Sequence, residues 1–478
     1  MPELPTYLVI AFALLDVGCV TLAVVRARGV TATLAWVFAI LALPVLGALA
    51  YLLLANPRVG RTRRLKRHSA VSVRSALEHA PGRGTSGPGL PELNGDDLAI
   101  LNLVSSVTDL EPTRGNEVHL LAEEEGAFAA IEEALHGARR SIWAEYYIIR
   151  NDETGRRFID VLARKAAEGV EVKLLYDAIG SLRLDTSYLR RLLEVGGSAE
   201  AFENLNPMRR LWTVHLRNHR KIIVVDGEQA FTGGMNIGDE YSGRARFRGA
   251  QHFLDSHMSL RGPAVAALVR TFAEDWHFAT GDTLVTPAPP GPAAGGDSVV
   301  AVVPSGPDQE FNANSLLYFA NINAARERCY LMSPYFIPDE ATITALVGAA
   351  LQGVDVRVLV PRKNDVRVAA VAAQTYFPVL ARAGVRIFEY LPSMLHGKTL
   401  VADGQRGIVG SANVDIRSFR LNFEVGALVI DRAFGRQLED RFLAYQEKSA
   451  EVTADVLEQR GFRRRLVGGA ARLLSPLL

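Results

Sequence analysis

The sequence has 478 residues, 49% of them hydrophobic, with 53 lysines and arginines against 52 aspartates and glutamates. A chain of this length suggests about three domain-sized units with ample apolar surface for their cores, which excludes wholesale disorder. The formal charge of +1 excludes a globally basic nucleic-acid binder, and the two cysteines, Cys19 and Cys329, lie too far apart in sequence to build a disulfide framework or a cysteine metal site.

Residues 6–25 are apolar apart from Asp16 and two threonines, and residues 32–54 run for 23 positions without a charge. At about 1.5 Å per residue the second run reaches roughly 34 Å, enough to cross a bilayer core, so the pattern predicts a two-helix transmembrane hairpin. A cleaved secretory leader wants a positive amino-terminal region and one short apolar core, whereas here Glu3 precedes two long ones. Asp16 is read as facing the partner helix or an interface, and Pro44 as tolerated within a span. Six cations between Arg58 and Arg67, against Arg26 and Arg28 in the loop, predict both ends of the hairpin in the cytoplasm and would also attract anionic lipid headgroups. The hairpin and its basic segment occupy residues 1–68.

Gly, Pro and Ser dominate from Ser69 onward and predict a linker over 69–96. A second Pro/Gly-rich break at 286–297 divides the rest into segments 97–285 and 298–478, of similar length. Each contains a strand-like run (Ser141-Ile142-Trp143-Ala144-Glu145-Tyr146; Tyr330-Leu331-Met332-Ser333), a helix-like stretch, and then Gly169-Val170-Glu171-Val172 or Gly353-Val354-Asp355-Val356. The matched order predicts a duplicated α/β sandwich with two pseudo-symmetric domains.

Both segments then carry the pattern H-x-K-x4-D. The first is His219-Arg220-Lys221-Ile222-Ile223-Val224-Val225-Asp226, followed by Gly233-Gly234-Met235-Asn236; the second is His396-Gly397-Lys398-Thr399-Leu400-Val401-Ala402-Asp403, followed by Gly410-Ser411-Ala412-Asn413. Only seven lysines stand beside 46 arginines, so lysine at both motif positions is selective. On a strand, residues i and i+2 share a face, so each histidine projects beside its lysine. Two imidazoles and two ammonium groups in one small volume suit a phosphodiester: one neutral imidazole attacks phosphorus, one protonated imidazole supplies the leaving oxygen's proton, and the lysines with Asn236 and Asn413 hold the non-bridging oxygens. This scheme calls for no metal and no cofactor. Asp226 and Asp403 precede glycines, so they fit either a hairpin turn or the orientation of a histidine or lysine. His215, His252 and His257 have no counterparts in the second copy and are left outside the site, with Asp255 or His257 at most lining its edge.

At these residues the sequence resembles the phospholipase D superfamily, and within it the bacterial cardiolipin synthases. The resemblance extends through Asn116, Glu145-Tyr146-Tyr147, Asp177, Gly180-Ser181, Gly238-Asp239-Glu240-Tyr241, Ser305-Gly306-Pro307-Asp308, Pro334-Tyr335-Phe336-Ile337-Pro338, Asp415, Arg417-Ser418, Asn422 and Glu424 to Leu474-Ser475-Pro476-Leu477-Leu478. Two departures are Phe253-Leu254 ahead of Asp255 and Gly397 within the second motif. The resemblance implies phosphatidyl transfer between two phosphatidylglycerol molecules, through a phosphohistidine, to give cardiolipin and glycerol. It implies His219 as nucleophile, His396 as general acid and then base, and Glu424 as support for a histidine. It also implies a bacterial inner-membrane protein with its catalytic domains in the cytoplasm. A hydrolase or transphosphatidylase using another lipid or alcohol stays open, and no nucleic-acid partner is expected. The basic tail from Arg460 reads either as an amphipathic helix on anionic lipid or as a solvated helix packed on the catalytic body.

Overall fold

The computed structural model describes residues 5–25, 30–54, 59–78, 93–121, 125–184, 186–202, 216–243, 252–453 and 462–473. The described residues separate between Leu65 and Lys66 into an N-terminal unit and a larger body.

In the N-terminal unit, Thr6–Val25 is a continuous apolar helix, and among the described residues it alone is long and apolar enough to cross a membrane. The second apolar run departs from the expected single helix. It forms Val30–Ala42 and Leu46–Leu54, separated by a turn in which Val45 takes a left-handed φ of 65°. The rings of Trp36 and Tyr51 lie 5.5 Å apart, whereas a straight helix would separate those residues by about 22 Å. The second piece therefore doubles back on the first. Pro44 starts the break, and Asp16 stabilises it: its Oδ1 accepts a hydrogen bond from the Val45 amide at 2.9 Å. Gly47 makes the close return feasible, since a Cβ there would come 2.3 Å from the Ala39 carbonyl oxygen.

The linker expected from Ser69 starts inside a helix instead, Val59–Glu78, in which Val73 and Lys66 are buried. The next helix, Gly95–Thr108, is capped by Asn94, whose side chain accepts from the Asp97 amide. Residues 79–92 lie outside the described set. The break at 286–297 has no helix or strand and is tied to the body where the Ala293 amide meets the Gly115 carbonyl.

The first half of the body provides strands β1 (Thr113–Leu120), β2 (Ser141–Tyr146), β3 (Glu171–Tyr176), β4 (Ser198–Ala201), β5 (Arg217–Asn218), β6 (Lys221–Val225), β7 (Gln229–Gly233), β8 (Phe253–Leu254) and β9 (His257–Arg261). The second provides β10 (Ser298–Ser305), β11 (Arg328–Met332), β12 (Phe336–Ile337), β13 (Asp355–Pro361), β14 (Arg386–Tyr390), β15 (Met394–Leu395), β16 (Thr399–Ala402), β17 (Arg406–Gly410), β18 (Val414–Asp415), β19 (Asn422–Ile430) and β20 (Ser449–Glu451). One half pairs in the order β1-β9-β7-β6-β2-β3-β4, the other as β10-β19-β17-β16-β11-β13-β14-β20, and the halves join where β1 pairs with β10. The seven strands of the first half match the first seven of the second in order, with β20 an addition at the second half's edge, which is the expected mixed α/β architecture of two related domains.

Side-chain alternation builds the layers. Ile222 and Val224 of β6, with Val401 of β16, enter a core that also takes Phe272 and Trp276 from helix Val265–Thr280 and Phe434, Leu438 and Phe442 from helix Arg432–Gln446. Ile223 and Val225 point the opposite way into the first half's outer core, and Leu400 and Ala402 into the second's. The period of two is what buries both faces of each motif strand. The C-terminal helix Phe462–Leu473 lays Arg472 over the Tyr376 ring at 4.7 Å and leaves Leu466, Val467 and Leu473 exposed.

Candidate active site

Each motif histidine sits just ahead of its motif strand and is stitched to the opposite half. β5, before His219, pairs with the start of β19, and the His219 amide donates to the Phe423 carbonyl at 2.8 Å. β15, before His396, pairs with β8, and the His396 amide donates to the Leu254 carbonyl at 2.7 Å. These backbone exchanges bring the two motifs together.

They also decide which acid serves which ring. His219 Nδ1 lies 2.9 Å from Glu424 Oε2, and His396 Nδ1 lies 2.6 Å from Asp255 Oδ2. Each half therefore supplies the carboxylate for the other half's histidine. With Nδ1 engaged on both rings, Nε2 is the nitrogen left for chemistry. Sequence reasoning had left Asp255 at the edge of the site. The signal that could have found it is register: Gly233 pairs with His257 and Gly410 with Gly426, so Asp255 and Glu424 occupy the same place, two residues earlier, in their repeats.

The lysines line the same volume. Lys398 Nζ lies 2.8 Å from His396 Nδ1 and 3.2 Å from Asp255 Oδ2; Lys221 Nζ donates to the His219 carbonyl at 2.7 Å and stands 5.3 Å from the Tyr147 ring centroid. Tyr147 packs edge-on against His219, while Tyr241, Phe253 and Tyr335 surround His396. Asn413 is buried with no partner for Oδ1 among the described residues, whereas Asn236 is engaged at both ends: it accepts from the Ile148 amide and donates to the Tyr241 hydroxyl. Asn236 thus braces an aromatic wall, a different task from the expected phosphate contact.

Asp226 and Asp403 lie at the far ends of the motif strands, roughly 20 Å of chain from their histidines. Both are left-handed, at φ 55° and 54°, and turn β6 into β7 and β16 into β17. Asp226 accepts from the amides of Arg139, Arg140 and Ser141, and Asp403 from those of Arg326, Glu327 and Arg328. Of the two roles left open for these aspartates, the geometry presents the turn; neither carboxylate contacts a motif histidine or lysine in these bonds.

The electrostatics distinguish the two rings. Burial, then Lys221, Lys398 and His396, hold His219 well below the usual histidine range. His396 is also lowered, by burial and Lys398, but Asp255 opposes the shift. Burial pushes Asp255 upward, yet Lys398 and His396 outweigh it and keep it ionised. Burial raises Glu424 to about 7 against the pull of Lys221 and the Ser411 and Asn422 hydrogen bonds. His396 therefore faces a full anion, and His219 a partly protonated acid. Burial also lowers Lys221 to about 7, so an incoming phosphate anion would restore its charge.

Beneath the motifs lies a buried ion network. Arg220 pairs with Asp275, donates to the Glu424 carbonyl through Nε at 3.0 Å, and reaches the Ser305 carbonyl at 3.2 Å. Asp275 also pairs with Lys66, and Asn218, next to His219, donates to Glu145. Burial and the nearby Asp275 raise Glu145 well above the carboxylate range.

The family described as "Cardiolipin synthase, PLD-like domain" matches residues 131–276 and 318–445, which contain both histidines and both swapped carboxylates. The chain belongs to this phospholipase D-like family. A family described as "Phospholipase_D-nuclease N-terminal" matches residues 9–56. Among curated relatives, a cardiolipin synthase of Geobacillus thermodenitrificans is 38% identical over 93% of this chain and 89% of its own length. Cardiolipin synthase A of Pseudomonas fluorescens is 36% identical over 100% and 99%. Among solved structures, phosphatidylserine synthase of Haemophilus influenzae superposes with a TM-score of 0.60 over 80% of this chain and 100% of its own, at 14% identity, a likeness of fold.

Proposed function

We propose that this family member is a cardiolipin synthase, a phosphatidyltransferase that joins two phosphatidylglycerol molecules and releases glycerol. The observation carrying the proposal is the reciprocal exchange of carboxylates, His219 with Glu424 and His396 with Asp255, which makes one site from two halves with unequal histidines. Near-full-length similarity to curated cardiolipin synthases supports the substrate class.

In the first step His219 Nε2 attacks phosphorus, the phosphorus–oxygen bond to glycerol breaks, and His396 gives its proton to that oxygen. In the second, His396 takes the proton from a hydroxyl of another phosphatidylglycerol, whose oxygen attacks phosphorus as the phosphorus–nitrogen bond breaks. Lys221 and Lys398 neutralise the non-bridging oxygens, with Asn413 beside them. Asn236 acts through Tyr241, and Asp226 and Asp403 act by fixing the hairpins that aim the motif strands.

Membrane attachment suits lipid substrates. The apolar segments 6–25 and 30–54 form a membrane-embedded helical hairpin, and the cations between Arg58 and Arg67 hold the catalytic body on the cytoplasmic face of the inner membrane. The body's two domains run over 97–285 and 298–478.

Purified protein in phosphatidylglycerol micelles is expected to release one glycerol per cardiolipin formed. Phosphatidic acid as the main product would make the enzyme a hydrolase; CMP release from CDP-diacylglycerol in place of glycerol would overturn the donor.

A further inference from the structure

We infer that the N-terminal unit crosses the membrane once and that residues 30–54 form a re-entrant hairpin, which puts the segment ahead of Thr6 and the catalytic body on opposite faces. The inference rests on the membrane reading above and concerns the path of the chain.

Three observations carry it. First, Val30–Ala42 has 13 residues, about 20 Å of helix against a bilayer core of about 30 Å, so it ends before reaching the far side. Second, Leu46–Leu54 returns the way Val30–Ala42 came. Asp16 meets Val45 and Cys19 meets Ala48, so a three-residue advance on Thr6–Val25 matches a three-residue advance on the returning piece. The two run parallel, and continuing that register brings Leu54 to the level of Val25. The contact between Trp36 and Tyr51 closes the hairpin from the other side. Third, the turn is provided for chemically. Broken backbone at membrane depth needs an internal partner, and Asp16 supplies one to the Val45 amide, while Cys19, Ile40, Ala48 and Tyr51 are buried around it. Asp16, costly in lipid, thereby acquires a structural task.

Charge agrees with this path. It places Arg26, Arg28, Arg58, Arg61, Arg63, Arg64, Lys66 and Arg67 all on one face, and leaves residues 1–5, with Glu3 and no lysine or arginine, on the other. A two-pass hairpin meets the positive-inside bias only by six cations to two, with Arg26 and Arg28 outside, whereas the single pass puts all eight inside.

The test is labelling of single added cysteines in bacterial spheroplasts with a membrane-impermeant maleimide. The parent chain serves as the blank, because Cys19 and Cys329 are both buried. The variants are Glu3→Cys, Arg28→Cys and, as reporter of the catalytic body, the exposed Gln352→Cys; only variants that still release glycerol are scored. The expected result is that Glu3→Cys labels in intact spheroplasts, while Arg28→Cys and Gln352→Cys label only after permeabilisation. Protection of Glu3→Cys together with external labelling of Arg28→Cys would establish two passes and overturn the inference, as would protection of all three. External labelling of Gln352→Cys with protection of Glu3→Cys would keep the single pass but refute the cytoplasmic placement. Should Glu3→Cys be inactive, a protease-cleavable tag fused ahead of Met1 gives the same readout.

Discussion

Replacing Asp255 by Asn tests the division of labour between the histidines. Asp255 is wholly buried, 2.6 Å from His396 Nδ1, and it opposes the burial and the Lys398 charge that lower His396. An opposite charge at that range is worth ~1–3 pKa units, each about 1.4 kcal/mol. Asn keeps the shape and a hydrogen-bonding oxygen but removes the charge. The protonated fraction of His396 at a fixed pH above its pKa should therefore fall ~10- to 1000-fold, and kcat for glycerol release with it. The sign is definite: the limb of the pH profile that needs protonated His396 must move to lower pH. The assay is kcat against pH for phosphatidylglycerol, repeated with a phosphatidyl ester of a nitrophenol, whose leaving group needs no proton. The first turnover of the nitrophenyl ester should be largely spared. A uniform loss on both substrates, with an unshifted profile, would refute the reasoning and reduce Asp255 to packing.

Glu424→Gln should remove the anion behind His219 and slow phosphoenzyme formation by ~10²- to 10⁴-fold, with flattening of the low-pH limb set by a carboxyl pushed up to about 7; rapid-quench trapping of the labelled intermediate reads this. Asp226→Ala removes an acceptor for the amides of Arg139, Arg140 and Ser141, so thermal unfolding should show a loss of ~1–3 kcal/mol, with kcat per folded molecule within severalfold of the parent. Because these amides and Arg140 hold Asp226 below its ordinary range against burial, its contribution is present above the unfolded-state carboxylate pKa and lost as pH falls through the folded one; the difference in Tm between parent and variant should shrink in acid. Lys66→Met leaves buried Asp275 with Arg220 as its cationic partner and should lower stability by ~3–5 kcal/mol, whereas Lys66→Arg should recover part of the loss. EDTA should leave glycerol release unchanged, as the proposed role of the lysines in supplying the phosphate's counter-charge requires; inhibition reversed by a divalent ion would contradict that.

Much of the fold could be read from local pattern. The repeated order of strand, helix, Gly-Val-acid-Val and H-x-K-x4-D reports two similar α/β halves because a period of two and a repeat length are properties of contiguous residues. The Ser69 segment misled because composition near a Gly/Pro-rich stretch hid a helix whose Lys66 and Val73 are held by partners distant in sequence. Residues 32–54 misled for a related reason. Uniform apolarity records length but not direction, and the reversal depends on Asp16, 29 residues before Val45.

The components of the proposed chemistry were legible in the sequence alone: two histidines, each with a lysine two residues on, where strand geometry obliges both side chains to share a face. Only the tertiary structure decided their pairing. Asp255 serves His396 across 141 positions and Glu424 serves His219 across 205, because β8 joins β15 and β5 joins β19. The inequality of the two imidazoles follows from that exchange, since burial and neighbouring charge, which set a proton's affinity, exist only once the halves have closed on each other.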